Sequence, residues 1–188
     1  MLYPLPAVLV SVSDGAGNDN VFTAAWAGTV CTNPPMVSLS VRPSRYSCGM
    51  IRETKEFVIN LTTEDMAFAV DFCGVRSGRD VDKFKAAELT KEAAQTVCAP
   101  MIAQSPVNIE CRVEREIPLG SHIMFLARVE AVHVRKRDLD DRNRLLLNQT
   151  GLMVYSHGEY RALGKKLGFF GYSVQKKKKT GDKKKAKH

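Results

Sequence analysis

Two short stretches of the chain gather side chains that hold anions. The first, SVRPSRYS, sets Ser40, Arg42, Ser44, Arg45, Tyr46 and Ser47 where an apolar strand gives way to a helix. Free N–H groups at a helix start favour negative charge, and hydroxyls and guanidinium groups add donors. The second, SGRDVDKF, offers Ser77, Arg79 and Lys83 around Gly78, a residue that lets backbone approach a ligand closely. Taken singly, the first reads better as a capped helix and the second as a solvated loop. Together they point to a phosphate-bearing ligand. Just upstream of the first, Thr23, Ala24, Ala25, Ala27 and Gly28 surround the only tryptophan, Trp26.

The elements that must carry these stretches read as β in the first third. PAVLVSVS (6–13) and VFTAAW are extended runs joined by SDGAGND, a hairpin-type loop. The glycines of GAGNDN lack the third member of a dinucleotide fingerprint and lie between two strands, so the loop reading stands. MVSLSV (36–41) alternates, with Val37, Leu39 and Val41 on one face. Residues 44–55 predict a short helix capped by Ser44, 56–61 a strand, and Thr63 the cap of a helix to about residue 74. NIECRVE (108–114) and HIMFLARVEAVHVR (122–135) are strands, and the slip between Ala131 and Val132 predicts a β-bulge. LMVYS and EYRAL form a last hairpin across His157-Gly158. Short antiparallel strands, few helices and no βαβ rhythm predict a mainly β protein, a β-barrel with helical decoration.

The totals narrow the function. The net charge is +8, but residues 176–188 hold eight lysines and one aspartate; without them 20 basic and 19 acidic residues remain. The expected organisation is therefore one domain, 1–175, followed by a lysine-rich disordered tail, 176–188. Nucleic acid is expected to meet at most that tail, weakly and without base stacking. Five cysteines with no CxxC pair and four scattered histidines suit neither a zinc site nor a disulfide framework. Free thiols without a signal peptide suggest a cytoplasmic protein. No apolar run is long enough for a membrane span. Neither a Walker A sequence nor a nucleophile elbow occurs.

The motifs, in order, resemble the flavin reductase-like proteins with an FMN-binding split barrel, especially the short flavoredoxin-type members. The similarity runs from about Pro4 to Tyr172. It is carried by PLPAVLV, by Asn20, Thr23, Ala25 and Trp26, by Pro34, Pro35, Val37 and Ser40, and by Arg42, Tyr46 and Ile51. Glu56, Phe57, Ile59 and Asn60 follow, then Ser77, Gly78, Asp82, Lys83 and Phe84, Pro106–Cys111 and Leu119–Val129. The resemblance implies a Greek-key-like antiparallel barrel, commonly dimeric. It implies that Thr23, Ala24, Ala25 and Trp26, with Asn60 and Leu61, line a flat isoalloxazine ring, which backbone reaches only where side chains are small. It implies that Ser40, Arg42, Tyr46, Ser47, Ser77, Gly78 and Lys83 hold the ribityl chain and phosphate. A histidine at the place of His122 lies near flavin and nicotinamide in related reductases, although Gly120-Ser121-His122 stands where the family often has Gly-Asp-His, and Ala127-Arg128 where Gly-Glu is common.

Each of these residues also has a structural reading: Trp26 as core packing, Asn60 as a strand-end partner, Phe169–Tyr172 as a segment on its own barrel or on a partner. The expected function is an FMN-dependent oxidoreductase, either an NADH- or NADPH-dependent flavin reductase or a flavoredoxin-like carrier. The alternatives are an FMN store or sensor, and a binding module whose lysine tail contacts nucleic acid.

Overall fold

A two-residue strand, β1 (Leu5–Pro6), leads into β2 (Val8–Ser13) and β3 (Asp19–Ala24). These are elements of a computed structural model that describes residues 2–175; the expected lysine-rich tail lies outside the described residues. All of β2 is buried, which explains its nearly unbroken apolar run: it is covered on both faces. The β2–β3 turn is a hairpin loop, as expected, with Asp14 Oδ1 accepting from the N–H groups of Ala16 at 2.8 Å and Asn18 at 3.0 Å.

After β3 come β4 (Ala27–Cys31), β5 (Met36–Val41), the helix α1 (Tyr46–Thr54) and β6 (Glu56–Leu61). The helix α2 (Ala67–Val75), a short α3 (Lys83–Ala86) and two small strands, β7 (Lys91–Glu92) and β8 (Met101–Ile102), precede the long hairpin β9 (Val107–Pro118) and β10 (Ile123–Val134). The last two strands are β11 (Met153–Ser156) and β12 (Glu159–Ala162). His157 at φ 50° and Gly158 at φ 92° make their turn, a backbone that glycine adopts without strain.

Seven strands form one antiparallel sheet in the order β3-β2-β6-β9-β10-β5-β4. Its two edges are β3 and β4, consecutive in the chain yet unpaired with each other, so the barrel stays split. Only Ala25 and Trp26 cross that seam. Inside the curl, Val10, Val12, Leu39, Phe57 and Phe125 pack against Cys48, Met50 and Ile51 of α1. On the outer face, Leu9 and Val21 meet Ala69, Val70 and Cys73 of α2, Phe84 of α3 and Met153 of β11. Each fully buried Leu or Phe contributes about 1.5–3 kcal/mol. A separate sheet, β1-β11-β12, joins the two ends of the described chain. Among the described residues no helix is long and apolar enough to cross a membrane.

Three local expectations need correction. Ser44 does not cap α1. The helix starts at Tyr46 behind Arg45, because the turn closed by Arg45 N to Arg42 O at 3.0 Å takes up Ser44. Thr63 opens a 3-10 turn, Glu64–Met66, before α2; its hydroxyl bonds the Asp65 carboxylate instead of a backbone N–H. The β10 bulge falls between Val129 and Ala131, and a second register shift lies between Leu126 and Ala127.

Asn60, fully buried, ties three elements together. Its Nδ2 donates to Leu9 O at 3.0 Å, Ser11 Oγ at 3.0 Å and Val58 O at 3.2 Å, and its Oδ1 accepts from Ile102 N at 3.1 Å. Removing it strands buried partners. Asn60→Ala is expected to cost about 2–3 kcal/mol, read as a lower urea midpoint with an unchanged m-value.

Candidate functional site

Where the barrel splits, the chain leaves a slot. A cavity of about 430 Å³ is floored by Phe22, Thr23, Ala24 and Ala25. Thr23 turns its hydroxyl away to the carbonyl of Val70, and Gly74 of α2 sits so close that an added Cβ would lie 3.3 Å from Thr23 Cβ. What this stretch offers the cavity is therefore backbone and small side chains. One wall is Trp26 on His122, with ring centroids 4.4 Å apart and planes tilted by 34°. Trp26 is 43% exposed, which makes it a rim residue and not core packing. His122 shares a 2.9 Å hydrogen bond with Ser121 through Nδ1. Burial, then the Arg42 charge, holds its pKa below the ordinary histidine value, so the neutral ring dominates at pH 7. Tyr155 and Tyr160, with Asp71 of α2, also line the slot. Tyr160 donates to Asp71 Oδ1 at 3.3 Å, and burial followed by that carboxylate pushes its phenol up to about 12.

The slot runs into a second cavity of about 480 Å³, and Phe22, Arg42 and Arg45 line both. Ser44, Tyr46, Ser47, Arg76, Ser77, Gly78, Arg79, Lys83 and Asn20 complete it; no carboxylate does. The two anion-holding stretches of the sequence thus converge. Arg79 N donates to Ser77 Oγ at 3.2 Å, which forms the second turn, and its guanidinium lies 5.2 Å from the Tyr46 ring centroid. Asn20 holds the turns together: its Nδ2 donates to Ser47 Oγ at 2.8 Å, and a Cβ on Gly78 would come within 2.3 Å of its Oδ1.

Of the expected site residues, Thr23, Ala24, Ala25, Trp26, Ser40 and His122 line the slot, Tyr46, Ser47, Ser77, Gly78 and Lys83 the anion cavity, and Arg42 both. Asn60 and Leu61 line neither: Asn60 faces into the sheet, as its strand-end reading implied, and Leu61 packs against the inner core. Gly78 is glycine because Asn20 presses on it, whereas a close approach to a ligand was expected. Lys83 is only 4% exposed, and its Nζ donates to Cys73 O at 3.0 Å and Arg76 O at 3.2 Å, closing the end of α2. Its charge faces the cavity while two of its donors are spent on backbone.

Sequence reasoning missed Asn20, Arg76, Asp71, Tyr155 and Tyr160. Asn20 stood among the family motifs without a role, and the tyrosines lie on a hairpin later in the chain than every other slot residue. A groove of about 830 Å³ between α1 and β9 is larger than either cavity, but its charges are mixed and internally paired, with Arg52 and Lys55 both on Glu116. It carries no comparable chemistry. Burial pushes the thiols of Cys73 and Cys98 up to about 11 and that of Cys111 to about 12, so none is a ready nucleophile.

The slot and its carboxylate-free anion cavity lie at the seam of a split barrel. Residues 1–164 match the flavin reductase like domain, and the chain belongs to that family. The flavoredoxin of Desulfovibrio vulgaris (Miyazaki F) is similar with a TM-score of 0.86 and 28% identity, over 93% of this chain and 95% of that one. A protein of Archaeoglobus fulgidus is 30% identical over 158 residues, 84% of this chain and 87% of its own. The FMN reductase (NADH) RutF of Acinetobacter baylyi is 25% identical over 126 residues, 67% of this chain and 65% of its own. The family makes this chain a flavin-related oxidoreductase.

Burial, then the neighbouring Arg45 charge, lowers the Lys83 pKa from 10.5 to about 8. The unfolded chain holds that proton up to about 10.5, so the stability cost of burying the charge is relieved as pH rises from 8 towards 10.5. Above pH 8 the cavity also loses one positive charge. Phosphate-bearing ligands are expected to bind more weakly as pH rises through about 8, and Lys83→Met is expected to flatten that profile in a fluorescence titration.

Proposed function

We propose that the chain binds FMN and uses it to accept electrons from NADH or NADPH, as a flavin reductase. The observation that carries this is the continuity of the slot and the anion cavity through Phe22, Arg42 and Arg45. A ring in the slot and a phosphate among the arginines require one path between them, and these three residues line it. The donor set also fits: neutral aromatic walls and exposed backbone at one end, guanidinium and hydroxyl groups at the other. Bound there, FMN supplies two-electron redox chemistry at its ring edge.

The chain's own residues bind, orient and shield. Arg42 and Arg45, with Ser44, Ser47 and Ser77, fix the phosphate by charge-assisted hydrogen bonds. Thr23 to Ala25 let backbone reach the polar ring edge. Trp26 and His122 close one side against water, and Tyr155 and Tyr160 the other. Neutral His122 can donate or accept a hydrogen bond at the rim without adding charge. No side chain needs to act as a proton donor, so His122 takes a positioning role.

The similarity to flavoredoxin favours a second reading, an electron carrier that keeps its flavin bound and exchanges electrons with a protein. Anaerobic stopped-flow mixing of the FMN-loaded protein with NADH and with NADPH separates the two. Rapid bleaching of the flavin by either is expected. Inertness to both leaves the carrier, and a chain that binds no FMN removes both readings. Arg42→Ala loses a charge-assisted bond of about 1.5–3 kcal/mol, so its FMN affinity is expected to fall by about one to two decades.

The described chain ends in an arm whose Phe169, Phe170 and Tyr172 are exposed, and this supports the homodimer that the family commonly forms. Sedimentation equilibrium is expected to give twice the 20.8 kDa chain mass; a monomer at micromolar concentration overturns that assembly. Five free cysteines support a reducing compartment such as the cytoplasm.

A further inference from the structure

Helix α2 reads AFAVDFCGV, and Asp71 is its only charged residue. The residues one turn away, Ala67, Phe68, Gly74 and Val75, carry no charge to balance it. Aspartate is also a poor helix former, so neither propensity nor local pairing accounts for it. Among the described residues Asp71 makes no ion pair, although Asp19, Asp138 and Asp140 each hold a lysine or an arginine. Its one hydrogen bond there comes from Tyr160 to Oδ1, at 3.3 Å.

The position of this carboxylate gives it a consequence. Asp71 lines the slot and not the anion cavity. The two guanidinium groups on the slot, Arg42 and Arg45, are shared with the anion cavity. A phosphomonoester of about −1.5 to −2 charges bound there balances both. His122 is neutral at pH 7, and no other slot residue is ionised. Asp71 is then the one uncompensated charge on the slot. Its partner Tyr160 keeps its proton, since burial and then Asp71 push the phenol up to about 12. A neutral donor holds the carboxylate in place without cancelling its charge, as a lysine or arginine would.

A flavin ring that takes up two electrons and one proton gains one negative charge. A like charge nearby opposes that form. We propose that Asp71 lowers the reduction potential of the flavin held in the slot, with Tyr160 as the residue that positions it. This inference rests on the flavin reading above, in which NADH or NADPH supplies both electrons. Its consequence is directional: the reduced cofactor is a stronger electron donor than it would be without Asp71, which suits an acceptor of low potential.

Anaerobic redox titration of the FMN-loaded full-length protein against a reference dye tests it. Asp71→Asn keeps the size and removes the charge. It is expected to favour the reduced form about tenfold, a rise of about 30 mV for a two-electron couple, while affinity for oxidised FMN changes less than threefold. Asp71→Glu restores the charge and is expected to leave the equilibrium within threefold of the unaltered protein. Tyr160→Phe disturbs the same part of the slot but keeps the carboxylate, and is expected not to favour the reduced form. Because Asp71 is exposed, the shift in Asp71→Asn is expected to shrink with added salt. An unmoved potential in Asp71→Asn, or an equal rise in Tyr160→Phe, overturns the proposal. FMN binding with an unmoved potential removes this inference and leaves the flavin reading standing; a chain that binds no FMN removes both.

Discussion

Asn20 carries the constraint on which the site depends. Its amide lies between two turns that like charge drives apart, one holding Arg42 and Arg45, the other Arg76 and Arg79. In water two like charges about 8 Å apart repel by only about 0.5 kcal/mol, but a buried lysine beside them raises the local cost. The clamp is short-range and directional: a 2.8 Å bond from Asn20 to Ser47, and contact so close at residue 78 that only glycine fits. Lys83 secures the other end by bonding the carbonyls of Cys73 and Arg76. The charged groups are thus held by neutral or backbone partners, and their own donors stay free for a ligand. An arrangement of paired ions in the same place would be as stable and would bind nothing.

The seam of the barrel supplies the other half. A closed barrel satisfies every strand edge and fills its interior with side chains. Here β3 and β4 stay apart, and only Ala25 and Trp26 cross the gap. The 2.9 Å bond from Ser40 N to Trp26 O anchors the crossing to β5. Small residues are required there because α2 crowds the seam from outside, through Thr23 on Val70 and Gly74 on Thr23. One local fact, the size of residues 23–25, therefore serves both the packing of α2 and the access of a ligand to backbone.

Much of this was legible from the chain. Strict alternation over residues 36–41, the Asp14 loop and the long apolar hairpin around residues 108–134 report local physics, and the structure agrees. The resemblance implied that the two arginine-bearing turns hold one phosphate, and the structure brings both to one cavity. Three of the expected site residues turn out to have partners within the chain. Asn60, Gly78 and Lys83 are polar or small residues beside motifs, and each was given to a ligand. The structure gives Asn60 wholly to the protein, Gly78 to Asn20, and two donors of Lys83 to backbone. Sequence shows that a buried polar group must have a partner, but not whether the partner is chain or cofactor. Tyr155 and Tyr160 were invisible for a different reason, because no local pattern announces a wall built by a hairpin far along the chain.

That hairpin shows how chain order bears on the site. Tyr155 is opposite Leu5 in the β1–β11 pairing, and Tyr160 is opposite Tyr155 in the β11–β12 pairing. The second wall of the slot is thus assembled only when the two ends of the described chain meet. It belongs to a three-stranded sheet separate from the barrel, fixed to α2 through the outer core at Met153 and by Tyr160 on Asp71. The floor and the anion cavity belong to the barrel side. Contacts of such wide sequence separation carry a high loop-closure cost in folding. The anion cavity thus rests on the barrel, and the slot is completed by a sheet that packs on it from outside.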